Sequence, residues 1–351
     1  MIRLAQLYTG GVGAEIVRRL AGHPQIELVA VLVHSPEKGG QDSGLLCGGA
    51  ANGIITTTSL DEVLATRPDA AIYSGLNPDF PFIANLLRQG INTYSGVGGF
   101  YLPGTPEFEL IDHAGREGNA SFTGGGNIPG LVADVFPLFL SGYTGNITEI
   151  RCRQWNDVST NPSAVQIHLR LGIGKGPDED LEMARAVDEG WARGMRKSAQ
   201  MVADVMGIEL TDMVLESKRI ALAQEDILLP NCGLLVKKGT VAGIEWNLVA
   251  TSHGRPFYRL TNQQTAALKL GEGWRQTHDE PAWRIEIDGD PPIVGTFGWP
   301  VDVDPGASNY KLNSLRAINT IPRLVAAEPG AVTTLDYAAP IASDGIRFDG
   351  V

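Results

Sequence analysis

Along the first part of the chain the apolar residues gather in short continuous runs, and the stretches between them are apolar on one side only. Ile2 to Leu7 and Ile26 to Val33 are runs of the kind strands show when both faces of a sheet are covered. Between them Val12, Ile16, Val17 and Leu20 return at helical spacing, and Gly22 followed by Pro24 is placed to end that helix. The alternation continues. Leu60 to Thr66 reads as a helix with Ser59 as its cap, Asp69 to Ser74 as a strand, Phe80 to Arg88 as a helix and Ile91 to Ser95 as a strand. A helix starts at Pro106 with Thr105 as cap, Ala120 to Thr123 is a strand, and Leu131 to Leu140 is a helix. Repeated strand and helix predict an α/β chain that opens with a doubly wound parallel sheet.

Near Gly145 the pattern changes. Ile147 to Trp155 reads as a strand, and Asp178 to Met206 as a long helix with Leu181, Ala184, Val187, Trp191, Met195 and Val202 close to one stripe. Strands then follow without helices between them. In Val241 to Ala250, Ile244, Trp246 and Leu248 share one face and Glu245 and Asn247 the other; Trp283, Ile285 and Ile287 alternate with Arg284, Glu286 and Asp288. Alternation of this kind predicts antiparallel strands with one wet face. From Tyr310, Leu312, Leu315, Ile318 and Ile321 recur at helical spacing. The expected organisation is a dinucleotide-binding domain over 1–144, a second α+β domain with a largely antiparallel sheet over 145–306, serving substrate binding and dimerisation, and a C-terminal helix and tail over 307–351 packing back on the first domain.

The chemistry points first to the turn between the opening strand and helix. A diphosphate needs free backbone N–H groups and the positive end of a helix dipole, and side chains there would hold it away. Thr9, Gly10, Gly11, Val12 and Gly13 form that turn, with Tyr8 where the usual G-x-G-x-x-G pattern has its first glycine. The plain alternative is an ordinary tight turn. His34 and Ser35 end the second strand, with Lys38 close behind, where an NAD-specific site usually has a carboxylate. A hydroxyl and a cation suit a 2′-phosphate, so NADP is the expected cofactor, with NAD still possible and Lys38 equally readable as a solvated loop lysine. Gly75, Leu76 and Asn77, and Ser95 and Gly96, follow later strands, at the ends where open sheets bind ligands.

Composition narrows the partners. A net charge of −12 argues against nucleic acid. No apolar run is long enough to span a membrane, and no signal-peptide pattern stands at the N-terminus. Cys47, Cys152 and Cys232 are widely spaced, which fits a reduced cytoplasm and neither a disulfide frame nor a metal site. The expected partner is a small-molecule substrate.

Several stretches together, in their order and spacing, carry a family resemblance: TGGVG in the first turn, HSPEKGGQDSG after the second strand, GGGNIPG at 124–130, WNDVS at 155–159, LGIGKGPDE at 171–179, VAGIEW, WRIEIDGDPP at 283–292 and RAINTIP at 316–322. The chain resembles the NAD(P)-dependent amine dehydrogenase and 2,4-diaminopentanoate dehydrogenase group, often labelled dihydrodipicolinate reductase-like. The resemblance implies a Rossmann domain, a substrate domain whose sheet serves a homodimer, and interconversion of amines and ketones by hydride transfer through an imine. It places the turn containing Asn127 by the nicotinamide, and Asn156, Asp157 and Ser159 near the substrate. One departure stands out: the family's paired glutamate after the strand ending at Ser95 is replaced by Gly96, Val97, Gly98 and Gly99.

The candidate catalytic residues are therefore Asn127, Tyr101, His168, Asp157 and Glu107, each with a plain structural reading beside it. Asn127 forms turns, Tyr101 fills a loop, His168 sits among apolar residues as a core group, Asp157 caps a strand end, and Glu107, like Glu109, complements a helix dipole. Trp155, Asn156, Asp157 and His168 are the expected substrate contacts; Trp155 and Trp191 read equally as core. The expected function is reduction of a carbonyl or imine carbon in a small to medium, fairly apolar substrate. The alternative is a nucleotide-binding relative, sensor or lyase-like, without redox turnover.

Overall fold

The computed structural model describes residues 1–179, 181–300, 303 and 305–337. The chain forms two compact units, Met1–Gly126 with Tyr310–Tyr337, and a second running from Asn127 to the start of the C-terminal helix; the tail expected over 338–351 lies outside the described residues. The first unit opens with β1 (Ile2–Leu7), α1 (Gly11–Leu20), β2 (Ile26–Leu32), α2 (Ser43–Leu46), β3 (Thr56–Thr57), α3 (Leu60–Ala65), β4 (Ala70–Tyr73), α4 (Phe80–Arg88), β5 (Asn92–Ser95), α5 (Pro106–Gly118) and β6 (Ser121–Gly124). The second holds α6 (Val135–Ser141), β7 (Gly145–Asp157), α7 (Leu181–Met206), β8 (Asp212–Leu222), β9 (Ile227–Leu229), β10 (Leu234–Val236), β11 (Val241–Ser252), β12 (Arg255–Thr265), β13 (Trp283–Asp290) and β14 (Ile293–Phe297). The chain closes with α8 (Pro305–Val325) and β15 (Gly330–Ala331).

The first unit is a seven-stranded parallel sheet in the order β15-β6-β5-β4-β1-β2-β3. Both faces are dry, as the continuous apolar runs required. Leu4, Val31 and Ile72 pack with Ile16 and Val17 of α1 and with Ala317, Ile318 and Ile321 of α8. Ala5, Leu32 and Ala71 pack with Val63 of α3, Ile83 and Leu87 of α4 and Ile111 of α5. The sheet order places β1 between β2 and β4, the point where open α/β sheets form a ligand crevice at their carboxyl ends.

Several local expectations shift. Thr105 stands at the N-cap of α5, but its hydroxyl donates to Leu102 O and does not cap the helix. The helix expected from Leu131 begins only at Val135, after a turned stretch. In α8 the inward stripe is Ser314, Ala317, Ile318, Ile321 and Leu324; Leu315 is exposed. The division of the chain falls between Gly126 and Asn127, so α6 groups with the second unit.

The second unit carries a six-stranded mixed sheet, β14-β13-β7-β12-β11-β8, in which only the β7–β12 pair is parallel. A separate hairpin pairs β9 with β10. Helix α7 covers one face: Trp191 stacks on Trp246, and the Trp246 indole N–H donates to Asp188 Oδ1 at 2.7 Å. The alternation expected in β13 is present, with Trp283, Ile285 and Ile287 buried. In β11 the expected wet face is corrected. Glu245 is only 6% exposed, held by Arg219 Nε at 2.8 Å and Gln263 Nε2 at 2.9 Å. A carboxylate with those partners can be buried at a position whose alternation predicts solvent.

Candidate active site

Within the first unit the glycine turn is built as a diphosphate cradle requires. Gly10 and Gly11 are exposed at the start of α1, and a methyl group on Gly10 would meet nothing within 4 Å. Gly13 is the close-packed member: a Cβ there would lie 2.1 Å from the Tyr8 carbonyl oxygen. Beneath the turn, fully buried Gln6 donates from Nε2 to Tyr8 O at 2.9 Å, Leu7 O at 3.1 Å and Ser74 Oγ at 3.2 Å, tying the ends of β1 and β4 together. The turn thus has open backbone on its outer side and no room on its inner side, which fits a pyridine dinucleotide.

Tyr8 does not block the turn. Its φ of 71° is the left-handed value that glycine usually supplies at this position. The ring packs with the cluster on the sheet face opposite α1, edge-on to Tyr73 at 5.6 Å and to His34 at 6.3 Å. Burial pushes the Tyr73 phenol up to about 12, so it remains a donor, bonded to Asn77 O at 2.8 Å. Tyr310 on α8 was missed as a neighbour of the turn; a Cβ on Gly11 would press on its ring at 2.6 Å. In the sequence it reads only as a helix start.

At the end of β2, His34 is exposed, and Ser35 and Lys38 are half-buried around a single turn of 3₁₀ helix, Pro36–Lys38. A carboxylate does stand in this loop. Backbone N–H bonding and the Ser35 hydroxyl hold exposed Glu37 below the usual carboxylate range, so that hydroxyl is already engaged. After β4, Gly75 is crowded by the Tyr73 hydroxyl and Leu76 is exposed. After β5, the Ser95 hydroxyl closes the turn against Val97, and Gly96 N–H donates to Tyr73 O at 2.9 Å. Gly98 and Gly99 both have φ of 70°, and Cβ atoms on them would press on Pro78 at 2.7 Å and Phe122 at 2.6 Å. A glutamate at either place would not fit. Tyr101 is buried, and half-buried Glu107 lies in the first turn of α5 with exposed Glu109.

In the second unit Asn127 opens the turn that leads into α6, its carbonyl accepting from Val132 N–H at 3.0 Å. The residue that holds this turn was missed. Asp134, with no exposed surface, accepts from Gly130 N–H at 2.8 Å, Val135 N–H at 2.7 Å and Ser198 Oγ at 2.8 Å. A single carboxylate inside the run LVADVFPLF was the available signal. The four expected substrate contacts do not share one surface. Alternation along β7 puts Asn156 on the face bearing Gln264, to which it donates at 2.7 Å, and Trp155 and Asp157 on the other face. Trp155 carries the Arg153 guanidinium over its ring at 5.3 Å. Asp157 accepts from Ser159 N–H at 2.8 Å and lies 4.0 Å from His278 Nδ1. His168 sits in a π-helical turn, Val165–Arg170, with Nδ1 2.9 Å from Ile173 O. A carbonyl only accepts, so Nδ1 carries the proton. Beside α7, a mainly apolar cleft is lined by Leu171, Met183, Val187, Ile220, Ile244 and Trp246. Burial pushes the Cys47 and Cys152 thiols up, so neither is an activated nucleophile.

Residues 131–347 match the model of the 2,4-diaminopentanoate dehydrogenase C-terminal domain. The chain belongs to that family. An amine dehydrogenase from Streptomyces virginiae is 28% identical over 348 residues, covering 93% of this chain and 94% of its own. A 2,4-diaminopentanoate dehydrogenase from Acetoanaerobium sticklandii is 26% identical over 304 residues, covering 85% and 79%. The solved amine dehydrogenase from Mycobacterium smegmatis shares the fold at a TM-score of 0.75 and 20% identity, with 97% of each chain covered. This member of the diaminopentanoate dehydrogenase family is an NAD(P)-dependent oxidoreductase with a Rossmann-type first unit. The resemblance carried by its motifs is borne out, and a relative without redox turnover is not favoured. Among the described residues no helix is long and apolar enough to cross a membrane.

Proposed function

We propose that the chain moves hydride between NADP(H) and the carbon of a small to medium, fairly apolar amine and ketone pair, through the imine, as a cytoplasmic homodimer. The observation that carries this reading is the turn from Thr9 to Gly13: two exposed glycines at the positive end of α1, closed from beneath by Gln6 and Gly13. Bound there, the dinucleotide supplies the hydride. The protein supplies the grip on its diphosphate, with Lys38 and His34 nearest to a 2′-phosphate and Ser95 and Asn127 assigned to the nicotinamide end.

Proton handling is the open half of the chemistry. Reduction of an imine is favoured when its nitrogen is protonated, and reduction of a ketone needs a donor. The family glutamate has no counterpart at Gly96–Gly99, where two of the glycines leave no room for one. His168 is our choice for this task. With Nδ1–H held by Ile173 O, Nε2 is the ring atom left to face a substrate, and a proton carried there is the one passed to the imine nitrogen or carbonyl oxygen. Asp157, Tyr101 and Glu107 are the reserves. The missing carboxylate also favours a second reading, ammonia-independent reduction of a carbonyl.

The test is oxidation of NADPH and NADH with a ketone panel, with and without ammonia. Ammonia-dependent turnover is the expected result. Turnover that ignores ammonia supports the second reading. No binding of either dinucleotide in calorimetry removes both.

A further inference from the structure

One rung of the mixed sheet contains three buried polar side chains, each with a buried polar atom left unbonded. Gln154 on β7 is the register partner of Asn262 on β12 and of Trp283 on β13. Register partners point to the same face, so the three stand side by side. They are 5%, 1% and 5% exposed, respectively. Gln154 Oε1, Asn262 Nδ2 and Trp283 Nε1 are buried, and none has a partner among the described residues. The neighbouring amides set the direction of Asn262. Asn156 Nδ2 donates to Gln264 Oε1 at 2.7 Å, and Gln264 Nε2 donates to Asn262 Oδ1 at 2.7 Å. That relay occupies the Asn262 oxygen and leaves its NH₂ free. The indole N–H can only donate. The rung therefore presents two donors flanking one acceptor. Buried groups of this kind are costly unless something completes them.

We propose that this rung is a substrate subsite for a neutral oxygen group, a hydroxyl. A hydroxyl accepts from Asn262 and Trp283 and donates to Gln154 Oε1, so all three atoms are satisfied by one group. A methyl group leaves all three unmet. A carboxylate faces the Gln154 oxygen, and the cation further along the rung, Lys218, is already paired with Asp188. The substrate is then an otherwise apolar ketone or amine with a hydroxyl near the reacting carbon. This inference rests on the reading that the second unit holds the substrate.

The probes are butan-2-one, hydroxyacetone and pyruvate, which are close in size and differ in one group. With NADPH and ammonia, the wild-type protein is expected to favour hydroxyacetone over butan-2-one by roughly tenfold in kcat/KM, the size of one satisfied hydrogen-bonding site. Gln154→Leu is expected to bring that ratio close to one. Equal rates in the wild type, an unchanged ratio in the variant, or a preference for pyruvate overturns the proposal. Thermal melting with each probe separates this failure from failure of the activity itself. If no ketone turns over, a larger stabilisation by hydroxyacetone than by butan-2-one, lost in Gln154→Leu, still supports the subsite, and equal shifts overturn it. The variant without any probe should melt at or above the wild-type temperature, because the amide it removes makes no bond. A clear drop would mark the rung as structure around a buried water, which also overturns the proposal.

Discussion

The two sheets keep their chemistry in different places. The parallel sheet of the first unit is covered on both faces, and β4 is buried at each of its residues. It has only strand ends to offer a ligand, and what it offers there is mostly backbone: Gly10, Gly11, Gly75 and Gly96. The mixed sheet of the second unit offers side chains across its faces. One face carries a charge ladder in which Arg151 meets Glu149, Glu286 and Asp288, and Arg259 meets Glu149 and Glu216. The other carries the amide row from Asn156 to Asn262. Substitution should therefore act on conformation in the first unit and on interaction in the second.

The sharpest test is a pair of glycines in one turn. Gly13→Ala places a methyl 2.1 Å from the Tyr8 carbonyl, where neither backbone can yield. We expect a loss of about 3 kcal/mol or more in urea denaturation, with NADPH binding lost alongside. Gly10→Ala meets nothing within 4 Å. Its stability should stay within about 0.5 kcal/mol of the wild type while its NADPH affinity falls by roughly tenfold, because the methyl stands where phosphate must approach. If Gly10→Ala binds NADPH normally, the turn is not the diphosphate site and the comparison fails.

In the second unit the largest effect should come from Glu245. Burial raises its pKa, but Arg219, Gln263 and Asn247 outweigh that and hold the carboxyl below its usual range. Glu245→Ala leaves the Gln263 amide with only Gly273 O to donate to and removes the carboxylate partner of Arg219. Arg219 remains half-exposed and can reach water, so we expect about 2 kcal/mol and not the full cost of breaking a buried pair. The pH dependence follows from the sign. A lowered folded pKa contributes stability that is present above the unfolded value and lost as pH falls through the folded one. The gap between wild type and variant should therefore close below about pH 4, measured as urea midpoints across pH. Ser198→Ala removes one donor from buried Asp134 and should cost about 1–2 kcal/mol, with a rise in KM for the ketone if the Asn127 turn contacts substrate.

The same contrast explains what could be read from the chain beforehand. Helix α4 is found at Phe80–Arg88, as its periodicity required, because an amphipathic helix against a dry sheet is written in its own residues. Gly10 and Gly13 were legible for the same reason: a backbone site needs glycine at fixed spacing. Glu245 was not legible, since its burial depends on Arg219 and Gln263 from neighbouring strands. Asp157 and Asn156 were grouped as neighbours in sequence, yet strand alternation sends them to opposite faces. The rung at Gln154 was not legible because its members come from three strands, and the one that falls in a motif, Trp283 of WRIEIDGDPP, carries no sign of the other two. Its one local signal was the run Asn262, Gln263 and Gln264 in a strand, where three consecutive amides are unusual company for a buried sheet.

The smallest effect we predict tests whether the first unit also relies on a side chain. Lys38 is half-buried, and its backbone is fixed by Ser35 O and by the Thr56 hydroxyl, so its ammonium is the part left to meet a ligand. If that ligand is a 2′-phosphate, Lys38→Ala should weaken NADPH by about fivefold and leave NADH nearly unchanged, a point charge at a partly exposed site contributing about 1 kcal/mol. Stability should not move, because no described ion pair involves this side chain. Glu37→Gln should move the preference the opposite way, towards NADPH, since Glu37 is the carboxylate in the same loop that would repel a phosphate. If both variants bind both dinucleotides as the wild type does, recognition in the first unit is carried by backbone alone. The division between a backbone site in one sheet and a side-chain site in the other is then complete.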